Sequence, residues 1–511
     1  MTDPLFIVHR RSHHFLIKDI KHPSVTRMCL ELAMKYVQYK QVPQYGQMVR
    51  VADKVYAASN PQRQWFSFHI NQWADFERAL EKAWIKRECY GIVDTPYYVP
   101  DEVTWEFKTD KVPRDYQKDI LTNYLLHEEP RNKLISFQTG KGKGLTLQLA
   151  IKALKARLLL IVKPMYCEKW KKEMHDVFDV PDKEVVVVRG STMLQSLIDK
   201  AVLGQAPPAA IILSLPTYQL WIKAYEESAE LAKMTGYNCA PDELNEILGI
   251  GVRAVDEVHM HFHQVFKTDL YTHVPKSICM SATLFNKDPF VKRMYETMFP
   301  VTQRYTELEL SRYIDVTAVM YNFHKPELMR TVAYGSTFFN SGVLEQSIQD
   351  RVQTRDRWLE LIKRIVDIGY MKVTRPKKRV AIYVYLQTTV ALVVSYLQRY
   401  YPDLKVNSYM GGDPLSNILE ADICVTTVGS AGTALDIPDL TNVILARDIG
   451  SMQANVQLVG RLRALPDGHP VQMHYLFAGN LEAPSKYHEE KKELFRDRVK
   501  SQTLYIWAHP L

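Results

Sequence analysis

The strongest constraint on the fold of this chain is a regular alternation of short apolar runs with amphipathic segments, which begins near Lys111. Such alternation is typical of parallel strands that are covered by helices on both faces. The pattern weakens between residues 285 and 374, apart from a helix predicted around 358–368. Two α/β units in series are therefore expected, with strands predicted at 134–137, 158–162, 184–188, 210–213, 253–255, 277–280, 380–384, 423–425, 443–445 and 473–476.

The first hundred residues have a different texture, with strands and helices of mixed spacing. A helix is predicted to begin at Pro23, because apolar side chains follow it at the spacing of an amphipathic helix. We expect Trp65, Trp73 and Trp84 in the core of this part. At 511 residues the chain is too long for one ordinary core. The predicted domains are a small α+β domain at 1–105 and α/β domains at 106–310 and 311–511.

Composition narrows the class of protein. Apolar residues make up 46% of the chain and charged residues 24%, as in globular proteins. The formal charge of +8 is compatible with a polyanionic partner without requiring one. We expect no membrane span and no signal peptide. The six cysteines are scattered and form no CxxC pair, so free thiols in a reducing, cytoplasmic compartment are expected.

A glycine-rich turn separates the strand at 134–137 from a helix predicted to begin at Leu145. Glycines at such a turn let backbone N–H groups converge on phosphate oxygens, and the helix N-terminus adds favourable partial charge. Lys143 is placed to reach the β and γ oxygens of a nucleoside triphosphate. A plain surface turn is the less favoured alternative, because a strand and a helix flank the loop. The residues of this loop are Gln138, Thr139, Gly140, Lys141, Gly142, Lys143 and Gly144.

An acidic pair, Asp256 and Glu257, closes the apolar strand at 253–255. We expect Asp256 to hold Mg²⁺ and Glu257 to orient or deprotonate an attacking water. His259, His261 and His263 alternate just beyond the pair, but no fourth zinc ligand is evident, so a zinc site is disfavoured.

A third constellation lies near the end of the second α/β unit and consists of Gln457, Gly460, Arg461 and Arg463. Arginines at this place can reach a γ-phosphate across a cleft between domains and stabilise charge in the transition state. Taken alone, the segment is equally compatible with a basic surface turn. The phosphate loop in the first unit favours the functional interpretation.

These motifs, in this order, resemble those of superfamily 2 helicases and translocases of the DExH kind. The resemblance covers residues 111–475 and implies two RecA-like motor domains in tandem that use ATP and Mg²⁺. It assigns Arg114 and Gln117 to adenine recognition, Ser281 to the motif that couples ATP state to strand contacts, and Asp436 to nucleotide contacts. The nucleic-acid contacts that the resemblance implies are Lys163, Pro164, Thr217, Gln387, Thr426 and Thr427.

The domain layout most resembles the phage UvsW-type branch-migration DNA helicases. That resemblance implies an N-terminal domain that grips duplex DNA and a motor that rewinds, branch-migrates or unwinds junctions. The expected partner is single-stranded, forked or branched DNA, with RNA left open, and the protein is expected to act as a monomer. If the chain is phage-encoded, its compartment is the host bacterial cytoplasm. The basic cluster at residues 9–14 is either a second contact with nucleic acid or a solvated strand edge.

The chain departs from the family pattern at three positions. Gly144 replaces the hydroxyl residue that normally follows the loop lysine, and Ala434 replaces a glycine. Arg463 follows Arg461 by two residues, whereas the family pattern has three. These departures keep a second hypothesis open, a nucleic-acid remodelling protein on a helicase scaffold with weak or no ATPase activity.

Overall fold

The computed structural model describes residues 3–44, 47–108, 112–137, 141–228, 234, 236–237, 239–282, 288–306, 312–372, 378–430, 437–465 and 468–511. The chain divides into two compact units, unit 1 (Met1–Phe137 and Lys141–Thr306) and unit 2 (mainly Glu307–Leu511). In the described part of the chain, no helix has the length and apolar character needed to cross a membrane.

Unit 1 begins with a mixed five-stranded sheet of order β5-β6-β2-β1-β7, in which only β1 and β7 pair in parallel. Strands β3 and β4 form a separate antiparallel hairpin. The first helix begins at Pro23 as predicted and buries Val25, Met28, Cys29 and Leu32. The elements are β1 (Phe6–Arg10), β2 (His14–Lys18), α1 (Pro23–Met34), β3 (Val37–Gln44), β4 (Gln47–Val55), β5 (Ala58–Ser59), β6 (Phe66–His69), α2 (Trp73–Lys82) and β7 (Tyr90–Asp94).

The second sheet of unit 1 has seven described strands, all parallel, in the order β10-β11-β9-β12-β13-β8-β14. Its strands are β8 (Asn132–Ser136), β9 (Leu158–Val162), β10 (Val185–Val188), β11 (Ala210–Ser214), β12 (Val252–Val255), β13 (Lys276–Ser281) and β14 (Arg304–Thr306). Its helices are α3 (Asp115–Ile120), α4 (Lys143–Ala153), α5 (Cys167–Val177), α6 (Ser191–Val202), α7 (Leu215–Glu227), α8 (Leu244–Ile247), α9 (Phe262–Asp269) and α10 (Pro289–Met298).

Unit 2 is built on another sheet of seven described strands, all parallel, in the order β17-β18-β16-β19-β20-β15-β21. The strands are β15 (Ile314–Tyr321), β16 (Arg379–Val384), β17 (Val406–Tyr409), β18 (Ile423–Thr427), β19 (Leu440–Leu445), β20 (Val471–Ala478) and β21 (Ser501–Ile506). The helices are α11 (Ser341–Gln349), α12 (Val352–Val366), α13 (Gln387–Tyr400), α14 (Ser416–Leu419), α15 (Met452–Val459) and α16 (Glu482–Phe495).

The predicted fold class, two parallel α/β units preceded by a small mixed α+β part, is confirmed. In unit 1 the two sheets share one apolar core. Tyr56, just after the hairpin, packs its ring 5.0 Å from that of Phe266 and 6.0 Å from that of Phe262, both on α9. The mixed sheet therefore packs directly on the parallel α/β part of its unit.

The prediction that Trp84 belongs to the core is wrong, because its side chain is 92% exposed. Helix α2 ends at Lys82, and Trp84 has a left-handed backbone conformation with a φ of 56°. The chain reverses at that residue and leaves the indole in solvent, whereas Phe76 and Leu80 of the same helix are buried. Helical spacing alone extended the apolar face one turn too far.

Candidate active site

Three strands of the parallel sheet in unit 1 end side by side where the predicted site residues lie. In a parallel sheet all the carboxyl ends lie at one edge, which is where α/β proteins bind ligands. Strand β8 leads to the glycine-rich loop and β12 leads to Asp256, while β13 lies between them in the sheet and ends at Ser281. The fold therefore brings the loop and the acidic pair together, although they are far apart in sequence.

The described part of the loop turns at a glycine immediately before a helix. Gly142 has a φ of 73° and precedes the first residue of α4, Lys143. This left-handed conformation favours glycine, and a Cβ atom would also lie 2.8 Å from Nε2 of Gln117, whose side chain would have to move. The Lys143 Nζ atom is 3.4 Å from the Phe137 carbonyl oxygen and 3.9 Å from Oε1 of Glu257. The lysine is thus held above the end of β8, at the start of a helix.

Asp256 presents both carboxylate oxygens to N–H donors. Its Oδ1 accepts the backbone N–H of Glu257 at 2.9 Å, and its Oδ2 accepts the indole N–H of Trp170 at 2.8 Å. Burial and the adjacent Glu257 carboxylate raise the pKa of Asp256 to about 6, while the charge of Lys143 opposes the rise. A cation that approaches Asp256 would favour the ionised form of its carboxyl group.

Glu257 has a left-handed backbone conformation, with φ 50° and ψ 48°. For a residue other than glycine this conformation costs about 1–3 kcal/mol and is often found at active sites. This backbone conformation turns the Glu257 side chain toward Lys143 and His259. The Nδ1 atom of His259 lies 3.3 Å from Oε2 of Glu257. The strained residue is therefore the one predicted to act on water.

His259 links the acidic pair to the end of β13. Its Nδ1 atom lies 2.6 Å from the hydroxyl oxygen of Ser281, and both side chains are buried. Burial lowers the pKa of His259 to about 3, helped by the nearby charges of Lys143 and Lys163, so the imidazole is neutral. His263 lies elsewhere, with its Nε2 atom 3.1 Å from the Val55 carbonyl oxygen of the N-terminal part.

Gln117, the predicted adenine reader, is buried against the loop. Its Oε1 accepts the Arg114 backbone N–H at 3.0 Å, and its Nε2 donates to the Gly142 carbonyl at 3.1 Å and to the Thr146 hydroxyl at 3.2 Å. The Arg114 side chain is exposed. The tyrosine between them, Tyr116, donates its hydroxyl to the Lys141 carbonyl. Tyr116 and Gln117 thus hold the glycine-rich loop through hydrogen bonds to its backbone carbonyls. The recognition of adenine by Arg114 and Gln117 stays a prediction.

The donor set fits a magnesium ion held largely by nucleotide and water. Mg²⁺ is commonly bound through one or two carboxylates plus substrate phosphates, with several waters retained. Asp256 supplies such a carboxylate, and Gly144 supplies no hydroxyl. The Thr146 hydroxyl is engaged with the Gly142 carbonyl at 3.1 Å. Within the described ranges, no cluster of three His, Cys, Asp or Glu side chains could hold a metal alone.

The predicted nucleic-acid contacts differ in accessibility. Lys163 is partly buried, which lowers its pKa, and Pro164 is exposed at the end of β9. In unit 2, Gln387 is exposed at the first turn of α13. The remaining predicted contacts are threonines, and their hydroxyl groups form hydrogen bonds within the protein.

Three threonine hydroxyls have partners within their own unit. Thr217 accepts the Gly190 backbone N–H at 2.8 Å. Thr426 is fully buried and donates to the Tyr409 carbonyl at 2.6 Å, and Thr427 bonds to Ser430. Their part in nucleic-acid binding stays a prediction.

The basic cluster at residues 9–14 is divided by the fold. His13 and His14 are fully buried, and Arg11 pairs with Asp242 of the same unit. Arg10 is half-exposed and pairs with Asp94. A purely solvated strand edge is therefore the wrong interpretation.

The candidate arginines of unit 2 have unequal environments. Arg461 is 8% exposed, with its guanidinium carbon 5.7 Å from the centre of the Tyr383 ring. Arg463 is exposed, and Gln457 lies buried on α15. Their role toward a γ-phosphate stays a prediction. Four predicted nucleotide contacts, Gln138, Thr139, Gly140 and Asp436, lie outside the described residues, as does Ala434.

Two features of the site were not predicted from the sequence. Trp170 occupies an apolar position of α5 that is typical of a core residue, and no local signal indicates that its N–H meets Asp256. Arg253, in the strand that leads to Asp256, forms a fully buried ion pair with Asp269. A charged residue inside an otherwise apolar strand was the available signal for that pair.

The two parallel α/β units in series have the tandem RecA-like fold. No protein-family model matches the chain, and no curated protein matches it. Among solved structures, Saccharomyces cerevisiae Dbp5 bound to RNA and ADP BeF3 is similar over 78% of this chain and 90% of that chain, with a TM-score of 0.50 and 12% identity. This likeness shows the fold.

Two further solved structures resemble the chain more distantly. The Pyrococcus furiosus Hef helicase domain aligns with 74% of this chain and 98% of its own, with a TM-score of 0.44 and 13% identity. T4 UvsW aligns with 98% of this chain and 99% of its own, with a TM-score of 0.34 and 13% identity.

Proposed function

We propose that this protein is an ATP-dependent helicase or translocase of superfamily 2 that acts on DNA. The proposal rests on one observation: Lys143, Asp256 and Glu257 lie close together at the carboxyl edge of one parallel sheet. A lysine at the start of a helix, 3.9 Å from a glutamate, can exchange that carboxylate for the phosphates of a nucleotide.

The site residues have separate tasks in this proposal. Lys143 neutralises the β and γ phosphates, and loop N–H groups orient them. Glu257, held by its strained backbone near His259, accepts a proton from the attacking water. Asp256 would hold Mg²⁺, which supplies positive charge to the phosphates. That Gln457, Arg461 and Arg463 sense the γ-phosphate stays a prediction.

The proposed substrate is single-stranded, forked or branched DNA, contacted mainly through its phosphates. The formal charge of +8 is compatible with such a polyanionic partner. RNA is the alternative substrate, since the Dbp5 structure of the same fold contains RNA. The UvsW-type activity on junctions, duplex binding by residues 1–105, a monomeric state and a bacterial cytoplasmic location belong to the same proposal.

A second candidate is a nucleic-acid remodelling protein with little ATPase activity. Two observations favour it, the absence of a hydroxyl at Gly144 and the buried position of Arg461. This candidate predicts nucleotide binding without nucleic-acid-stimulated turnover.

The test is ATP turnover by the full chain on single-stranded, duplex, forked and four-way DNA, with matching RNAs. The Glu257→Gln variant provides the background, because an amide cannot accept the proton from water. Turnover that is stimulated most by forked or four-way DNA and lost in Glu257→Gln supports the proposal. Nucleotide binding with equal, unstimulated turnover in both proteins supports the remodelling candidate and refutes the enzyme. Stimulation by RNA alone would replace DNA with RNA as the substrate.

A further inference from the structure

Trp170 lies where the loop lysine, the glycine after it and the acidic pair converge. It is on α5, is 4% exposed and donates its indole N–H to Oδ2 of Asp256 at 2.8 Å. Its ring also faces Gly144, the residue at which the loop departs from the family pattern. The same side chain therefore touches the predicted metal ligand and the unusual glycine.

Any residue other than glycine at position 144 would require its neighbours to shift by a few tenths of an ångström. A Cβ atom there would lie 3.3 Å from Cη2 of Trp170 and 3.2 Å from Oε2 of Glu173. Both separations are tighter than ordinary van der Waals contact, and a serine or threonine would add an oxygen to the same crowded space. Gly144 and Trp170 are therefore sterically matched.

We propose that Trp170 is a positioning residue that orients the Asp256 carboxylate toward the Mg²⁺ that this carboxylate would hold, at a site where Gly144 offers no hydroxyl to the ion. This inference rests on the proposed ATPase function. With Oδ1 held by the Glu257 N–H and Oδ2 by the indole, the plane of the carboxylate is fixed and its remaining lone pairs are free to meet a cation. Gly144 is then the residue that makes room for the indole.

A packing role alone makes a different prediction. Trp170 shares the buried face of α5 with Cys167, Met174 and Val177. If it served only that core, phenylalanine would fill much of the volume, and any loss would be of stability. An orienting role requires the N–H, which phenylalanine lacks, and affects the dependence on magnesium.

The test measures affinity for a fluorescent ATP analogue as a function of Mg²⁺ concentration, a readout independent of turnover. The variants are Trp170→Phe, Gly144→Ser and their combination. Trp105→Phe is the matched control, because Trp105 is a buried tryptophan of the same unit whose indole donates to the Ala156 carbonyl instead. Melting curves check that each variant folds.

We expect Trp170→Phe to raise the Mg²⁺ concentration needed for binding by roughly 10- to 100-fold, the usual effect of losing a partner of a metal ligand. Affinity without Mg²⁺ should stay unchanged, and Trp105→Phe should behave like the wild type. Gly144→Ser alone should also weaken magnesium-dependent binding. In the double variant the smaller ring leaves room for the serine hydroxyl, so the combined loss should be smaller than the product of the single losses.

A Trp170→Phe protein with the Mg²⁺ dependence of Trp105→Phe overturns the inference and leaves the proposed function intact. A double variant whose loss equals the product of the single losses also overturns it. If Trp170→Phe does not fold, Gly144→Ser decides, since unchanged Mg²⁺ dependence in that variant refutes the match. A wild-type protein that binds no nucleotide at any Mg²⁺ concentration refutes the proposed function and the inference with it.

Discussion

The buried ion pair between Arg253 and Asp269 should contribute strongly to the stability of unit 1. Arg253 lies on β12, three residues before Asp256, and its Nη1 atom is 2.7 Å from Oδ1 of Asp269. Both side chains are almost fully buried, at 1% and 0% exposure. His69 of the N-terminal sheet approaches the same carboxylate at 3.5 Å. The ion pair therefore holds β12, the strand that leads to Asp256, against α9. The same pair also contacts the N-terminal mixed sheet through His69.

Asp269→Asn should leave the Arg253 charge buried without a counter-charge. Burial acts to raise the pKa of Asp269, but Arg253 and His69 outweigh it and hold that pKa at about 2, so the carboxylate is ionised at neutral pH. Removing one partner of a buried pair costs about 3–5 kcal/mol. With an unfolding entropy of about 2.1 cal/mol/K per residue over the roughly 300 residues of unit 1, each kcal/mol shifts the melting temperature by about 1.6 °C, so a fall of about 5–8 °C is expected.

The assay is thermal melting of the full chain, followed by circular dichroism. Asp94→Asn is the control, because Asp94 pairs with Arg10 at the surface, where such pairs contribute about 0–1 kcal/mol. Replacing both buried partners, by Arg253→Met with Asp269→Leu, should recover most of the loss. An Asp269→Asn protein that melts no lower than Asp94→Asn would refute the reasoning.

Two further predictions concern buried histidines. Ser281→Ala removes a hydrogen-bond partner of the His259 ring, and that ring helps to hold Glu257. The kcat for ATP hydrolysis should therefore fall by about 2- to 10-fold, which corresponds to the loss of one hydrogen bond, while KM stays constant. A changed KM with constant kcat would contradict this prediction. Burial lowers the pKa of His474 to about 4, so its contribution to stability is complete above pH 6.5 and falls by about 1.4 kcal/mol per unit as the pH drops toward 4. His474→Gln should therefore lose less melting temperature than the wild type between about pH 7 and about pH 5, and equal losses would contradict the assignment.

The sequence was sufficient for the parallel strands that are buried on both faces. The strand at 134–137 and the strand at 253–255, which leads to Asp256, are short and largely apolar, and each precedes the polar residues that it presents. The strand and the helix that flank the glycine-rich loop could be predicted from local residues, and the role of the loop toward phosphate stays a prediction. That these segments meet follows from the parallel arrangement.

Strands at the outer part of the unit 2 sheet were harder to predict. Strand β15 (Ile314–Tyr321) alternates buried and half-buried residues, including Asp315 and Thr317, so it shows no continuous apolar run. Strand β21 (Ser501–Ile506) is the mostly exposed edge strand beside it. Their place in the sheet depends on pairing with distant segments, which local composition does not encode.

The same limit applies to the site. The contact of Trp170 with Asp256 joins residues 86 positions apart and depends on how α5 packs against the sheet. The sequence could mark Gly144 as irregular, but only the three-dimensional arrangement shows the indole that faces it. Local patterns therefore predicted the candidate site residues, whereas the contacts that support these residues are seen only in the structure.

The proposed function requires Lys143 to bind the phosphates of ATP during turnover. The most direct measurement is phosphate release from ATP and Mg²⁺, with and without forked DNA, by the wild type and Lys143→Ala. Lys172→Ala is the control, since Lys172 is an exposed lysine of the neighbouring helix α5. Lys143→Ala should lower DNA-stimulated turnover by roughly 100- to 1,000-fold while Lys172→Ala leaves it unchanged. Equal turnover in Lys143→Ala and the wild type would contradict the claim.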